Sequence, residues 1–189
     1  MECPLEPYPD WLRPPPEGRT ADDLDRLRDL PPHTELLFGS LVFSARQTRF
    51  HARTVSDLER CLSEQAPVGW ELWCRMGLKL DDRNRLEPDL MVVDLQADTG
   101  DDQTFCRPRD VLIAVEVVSQ ESRERDREVK PRKYAAAGIP HFWRVECDEG
   151  RPVVHTYEID PATRLYGLTG IHHKQLKLDR PFPVDIDLT

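Results

Sequence analysis

Val111-Leu112-Ile113-Ala114-Val115-Glu116-Val117-Val118 is the stretch on which the reading of this chain turns. Every residue but Glu116 is apolar, and most are β-branched. Such a run predicts a central strand covered on both faces. An ionised Glu116 alone in that strand would cost several kcal/mol unless something paired with it. A charge kept in such a place points to a metal ion, a Lys or Arg, or a reaction that uses it.

The segments around this strand predict an α/β (α+β) fold. Downstream, Lys130-Pro131-Arg132-Lys133-Tyr134-Ala135-Ala136-Ala137-Gly138-Ile139-Pro140 predicts a helix that stops at Gly138. Pro131 cannot lie deep in a helix, so the helix is expected to begin a few residues before it, with Lys130 in the first turn. A strand at 141–146, a hairpin over 152–168 and a β tail to Thr189 complete that side.

Upstream, Thr34 to Ser44 predicts a hairpin turning near Gly39-Ser40. Residues 50–65 predict a helix, with Val55, Leu58, Cys61 and Leu62 at helical spacing. Trp70–Leu80 and Asp89–Val93 are expected to be two strands joined by the polar turn Asp81-Asp82-Arg83-Asn84, with a loop over 95–109. Thr20 ahead of acidic Asp22 and Asp23 predicts a short helix closed by Pro31-Pro32. The expected organisation is a Pro-rich lead-in over 1–19 and one domain over 20–189. In it a central mixed sheet is flanked by helices, with an N-terminal hairpin and a C-terminal β extension.

Composition narrows the function. The chain has 189 residues, 39% hydrophobic and 32% charged, which suits a globular domain with a real core. No run approaches the roughly 20 apolar residues of a membrane span, and the N-terminus lacks the pattern of a signal peptide. A cytoplasmic address is the expectation. Five cysteines without a CxxC argue against a disulfide framework or a zinc-cysteine site. A net charge of −9 does not suggest binding to nucleic acid by bulk electrostatics, though an enzyme can confine its acids to one metal site.

The chemistry concentrates in two carboxylates. Asp89 opens its strand after Pro88, and Glu116 lies near the end of the buried one. On neighbouring strands the two could share one divalent cation, and Mg²⁺ prefers such oxygen ligands. Alternation puts residue 118 on the same face as Glu116, but Val118 has no chemistry to offer. Lys130 is the nearest substitute, reaching back from the next helix, and Tyr134 follows at i+4 on the same helix face.

These pieces resemble the bacterial putative restriction endonuclease family within the PD-(D/E)XK nuclease superfamily. The matching residues are Pro88-Asp89, then Val115-Glu116-Val117-Val118-Ser119, then Asp126, Lys130, Tyr134, Ala135, Gly138, Ile139 and Pro140, then Phe142-Trp143-Arg144-Val145-Glu146. In that family the motif's Lys is displaced from the strand to the following helix, which agrees with Val118 and Lys130. Glu35 falls where the family carries an additional acid, and His51 where a His opens the next helix. Gln120 departs from the family's Pro, and Glu146 from its Asp.

The resemblance implies an endonuclease on DNA using Mg²⁺, for which Mn²⁺ could substitute. Asp89, Glu116 and the Val118 carbonyl would serve the metal, and Lys130 would be catalytic. Glu35, His51, Ser119, Asp126 and Tyr134 are supporting candidates, and a homodimer is implied. Simpler roles stand beside these: Ser119 capping the turn after the strand, and Asp126 capping the helix. Two rival readings remain. One is a silent nuclease fold acting as a binding or regulatory module. The other is a hydrolase using its two carboxylates as acid and base, against which the 7% aromatic content counts.

Overall fold

The computed structural model describes residues 9–189. Cys3 and the start of the Pro-rich lead-in lie outside the described residues. The predicted short helix is a 3-10 turn, Ala21–Asp25, and the Asp23 carboxylate accepts the Thr20 N–H at 2.7 Å.

The first hairpin forms as predicted, with its turn one residue earlier than expected. β1 (Thr34–Leu37) and β2 (Ser40–Phe43) pair antiparallel around Phe38 and Gly39, whose φ values are 52° and 77°. Two positive φ angles in succession match the twist of a two-residue hairpin turn. Gly suits the second position because its φ of 77° lies in the left-handed region that side chains rarely adopt. Helix α1 (Arg49–Gln65) begins at Thr48, whose hydroxyl accepts the His51 N–H at 3.2 Å. It buries His51, Thr54, Leu58 and Leu62, one residue per turn.

The stretch predicted as one strand from Trp70 to Leu80 is two. β3 (Trp70–Cys74) and β4 (Gly77–Asp81) are separated at Arg75, whose φ is 49°. That left-handed residue turns the chain out of one sheet and into another. The polar turn after Asp81 then joins β4 to β5 (Asn84–Leu86), and β6 (Leu90–Asp94) follows. The expected loop over 95–109 holds a 3-10 turn and the short β7 (Phe105–Cys106). β8 (Val111–Val117) is the buried strand, with Val118 continuing the ladder by donating to the Val145 carbonyl at 2.8 Å.

The helix after β8 departs from expectation at its start. Regular α2 spans Lys130–Ala137, but helical backbone begins at residue 123 and passes through a π turn, Arg125–Val129. The Lys130 N–H reaches the Arg125 carbonyl, five residues back. The wide turn accommodates Pro131, which has no N–H to donate and would otherwise press on the carbonyl four residues before it. Lys130 is thus not in the first helical turn, and Asp126 is not a cap but an internal residue. Gly138, at φ 87°, ends the helix as predicted.

β9 (His141–Asp148), β10 (Arg151–Ile159) and β11 (Tyr166–His172) form a meander. β12 (Gln175–Leu178) and β13 (Val184–Asp187) make a separate ribbon. The main sheet has the order β11-β10-β9-β8-β6-β3, antiparallel except for β8 and β9, which α2 connects in parallel. A second sheet, β2-β1-β5-β4-β7, absorbs the N-terminal hairpin. The expected mixed α+β architecture is the one observed.

Side-chain alternation divides the core. Leu90, Val92, Ile113, Val115 and Val117 pack with Leu58 and Leu62 of α1 and with the β12–β13 ribbon. Met91, Val93 and Ala114 face the other way, towards Tyr134 of α2 and Phe142. Glu116 has the parity of Ala114 and therefore belongs to the α2 layer. Among the described residues Cys61, Cys74, Cys106 and Cys147 are free thiols, and no helix is long and apolar enough to cross a membrane.

Candidate active site

Pairing of β6 with β8 sets the site. Leu90 lies opposite Val115 in an antiparallel register, so Asp89 and Glu116 come opposite one another at the end of the two strands. Asp89 is held there by two donors. The Val117 N–H reaches its Oδ2 at 2.8 Å, and His51 Nε2 lies 3.1 Å from the same oxygen.

Glu116 is 2% exposed and carries three contacts. The Tyr134 hydroxyl donates to Oε1 at 2.6 Å, and Lys130 Nζ is 3.0 Å from both carboxylate oxygens. The same ammonium lies 3.0 Å from Glu35 Oε1 and 3.5 Å from Asp126 Oδ1. Glu35 comes from β1 in the second sheet, so Lys130 of α2 joins both sheets through one charge. The backbone N–H of Glu87 steadies Glu35 by donating to Oε1 at 2.8 Å.

One cation thus serves several buried acids, and the proton affinities follow. Burial pushes the Glu116 carboxyl well above the ordinary range; Lys130 opposes this, while Asp126, Asp89 and Glu35 add to it. Burial likewise raises Asp126, against the pull of Lys130. Burial alone would lower Lys130, but Glu116, Glu35, Asp126 and Asp89 outweigh it and hold the ammonium well above its usual value. Both values rise, because each acid receives only a share of one cation while the cation receives every acid. Burial and Glu116 keep the Tyr134 phenol protonated, as a donor.

The structure thus brings Glu35, Asp89, Glu116, Asp126, Lys130 and Tyr134 together, with His51 behind Asp89. Ser119 is elsewhere: it closes the turn after β8, bonding the Ser122 hydroxyl at 2.9 Å and accepting the Ser122 N–H at 3.1 Å. Much of the basic run around Lys130 is paired within the protein, Arg125 with Glu121, Arg127 with Glu146 and Arg132 with Glu128. Sequence reasoning passed over Glu87 and His33, which bond to each other beside Asp89. Both lie outside the strands, His33 just before β1 and Glu87 between β5 and β6, where periodicity gives no signal.

An oxygen-only donor set with surplus negative charge suits a hard divalent cation. Asp126 Oδ1 is buried without a hydrogen-bond partner, and Glu116 and Asp126 both have raised proton affinity. These residues fit such an ion in donor chemistry and charge. Among the described residues no three His, Cys, Asp or Glu side chains stand at ligand geometry, and Lys130 Nζ lies 3.0 Å from both Glu35 and Glu116. A cleft of about 60 Å³, lined by His33, Ser44, Gln47, Arg75, Glu87 and Asp89, opens beside Asp89. A larger cavity of about 500 Å³, lined in part by Arg53, Thr54, Arg151 and Leu188, includes none of the clustered acids. Of the clustered acids, only Asp89 lines the small cleft.

The fold has a solved counterpart. It is similar to the crystal structure of a putative nuclease belonging to DUF820 from Anabaena variabilis ATCC 29413, with a TM-score of 0.62 and 14% identity over 74% of this chain and 79% of that one. NucC of P. aeruginosa ATCC27853, in its cAAA-bound form, also matches, with a TM-score of 0.35 and 10% identity over 66% of this chain and 85% of that one. Residues 21–189 match the Uma2 family, described as "Putative restriction endonuclease", and the chain belongs to that family. No curated protein matches the sequence.

Proposed function

We propose that the protein is a Mg²⁺-dependent endonuclease that hydrolyses phosphodiester bonds of DNA, with Mn²⁺ able to substitute. The observation that carries this reading is the juxtaposition of Asp89 and Glu116 across β6 and β8 with Lys130 reaching in from α2. Asp89 and Glu116 would hold the ion, helped by the Val118 carbonyl and supported by Glu35. Bound there, the ion would supply Lewis-acid stabilisation of phosphate charge and a lowered pKa for water.

The chain's own residues do the rest. The Val117 N–H and His51 fix Asp89 in one orientation. The Tyr134 hydroxyl does the same for Glu116. The Lys130 ammonium stays protonated among the acids, where it can hold an attacking water and offset charge growing on a phosphate. Burial of the cluster keeps bulk water from screening these charges. The reading includes a cytoplasmic address and a homodimer that cuts both strands.

The test is plasmid cleavage by purified protein in Mg²⁺ or Mn²⁺, beside Glu116→Gln and Asp89→Asn. Cleavage by the parent that falls at least a hundredfold in both variants is expected. No cleavage by the parent, or equal cleavage by Glu116→Gln, would sink the proposal. A silent nuclease fold has one observation in its favour: Lys130 already bridges Glu35 and Glu116. Calorimetry separates the two, since the enzyme should bind Mn²⁺ in an Asp89-dependent way and the silent module should not.

A further inference from the structure

Packing alone leaves Arg75 and His33 unexplained. Arg75 follows β3 with φ 49°, and His33 precedes β1 with φ 59°. Side chains other than Gly seldom adopt these angles, and such strain persists where surrounding structure enforces it, often at functional sites. The two residues meet beside the acid site, with Arg75 Nη1 3.4 Å from His33 Nε2. His33 Nδ1 bonds the Glu87 carboxylate on its other side. This pattern assigns the tautomer: Nδ1–H donates to Glu87, leaving Nε2 to accept from Arg75.

Three further contacts tie the pair to the acids. The Arg75 backbone N–H donates to the Asp89 carbonyl at 3.3 Å. Glu87 donates its own N–H to Glu35, so one residue holds both a cluster acid and the His33–Arg75 pair. His33, Arg75, Glu87 and Asp89 share the walls of the small cleft. Among the described residues His33 is the side-chain partner of Arg75, and most of its guanidinium donors remain for a ligand.

Resting on the nuclease reading above, we infer that Arg75 contacts a phosphate of the nucleic-acid strand entering the acid site, and that His33, held by Glu87, is the positioning residue for its guanidinium. A strand approaching Asp89 and Glu116 meets concentrated negative charge, and a planar, forked cation at the mouth offsets it. Nearby cations of the π turn and α2 are committed elsewhere: Lys130 to the acids, Arg127 to Glu146, Arg132 to Glu128 and Lys133 to the Phe38 ring.

The test measures binding of a fluorescein-labelled DNA duplex to the full chain by anisotropy, in EDTA and across a salt series, so that binding is read apart from cleavage. Each lost phosphate contact should reduce the slope of log K against log[salt] by about 0.9. Arg75→Gly should show that reduction with several-fold weaker binding. It should melt no lower than the parent, because Gly adopts φ 49° freely. His33→Asn, also tolerant of positive φ, should give a similar reduction, and the double variant should add little.

An unchanged slope and affinity in Arg75→Gly overturns the inference. So does a parent that fails to bind the duplex, or one that binds inorganic phosphate through Arg75 while duplex affinity ignores the substitution. Cleavage is scored separately. A parent with an Arg75-dependent slope but no cleavage overturns the nuclease reading and leaves the phosphate contact standing.

Discussion

Removing Lys130 should damage the fold far more than neutralising Glu116. In Lys130→Met the one cation that, among the described residues, lies within 3.5 Å of Glu35, Glu116 and Asp126 disappears, and these acids stay buried. Breaking a buried ion pair from one side costs about 3–5 kcal/mol. For a chain of this length each kcal/mol shifts Tm by roughly 2–4 °C, so the loss should reach about 6–20 °C. Glu116→Gln acts in the other sense. Burial already disfavours the Glu116 charge, and an amide oxygen still accepts from Tyr134 while Lys130 keeps Glu35 and Asp126. That variant should hold or raise stability.

The pH dependence adds a second check. A carboxyl whose folded pKa is raised contributes stability that is full below its unfolded value and fades as pH rises through the folded one. Glu116 and Asp126, with ordinary values of 4.5 and 3.8, are both of this kind. Losing Lys130 removes the group that lowers both, so the Lys130→Met penalty should be larger at pH 8 than at pH 5. Circular-dichroism melts of the three proteins at both pH values read it out. The reasoning is refuted if Lys130→Met costs less than about 1 kcal/mol, or if Glu116→Gln is the more damaging change.

Three further outcomes are expected. Tyr134→Phe removes the hydroxyl that donates to Glu116 at 2.6 Å, and should lower stability by about 1.5–3 kcal/mol in a urea melt; a change under about 0.5 kcal/mol would mean the bond contributes little. Gly138→Ala forces a side chain to φ 87° at the end of α2 and should cost about 1 kcal/mol; equal melting temperatures would contradict that. Burial raises the Glu146 carboxyl, but the Arg127 hydrogen bond outweighs it and holds the group below its ordinary value of 4.5. Its contribution is present above that value and is lost as pH falls through the lower, folded one. The stability difference between parent and Glu146→Gln should therefore vanish in strong acid, and a difference that grew there would reverse the assignment.

The strongly periodic parts of the chain were the legible ones. β8, α1, the hairpin at Phe38-Gly39 and the Gly138 stop follow from apolar spacing and from glycine at turns and helix ends. The opposition of Asp89 and Glu116 was legible as two acids on two strands, although only the register of β6 against β8 makes them neighbours. The break at Arg75 was not legible, because positive φ at an arginine has no sequence signature. Pro131 did signal an anomaly, but the physical resolution differed: the helix widened instead of starting late. His33 and Glu87 were hidden because a contact across 54 residues leaves no spacing to read.

That widened turn has a mechanical consequence. A helix advances about 100° per residue, so an inserted residue rotates everything beyond it like one extra notch on a dial. Arg125–Val129 supplies such a notch, with Asp126 inside it and Lys130 directly after it. Deleting Arg127, Glu128 or Val129 would leave every charged group of the site in the sequence, yet point the lysine around the helix and away from Glu116. The reach of Lys130 into the acids is therefore a matter of rotational phase, set by one residue of helix and not by the lysine alone.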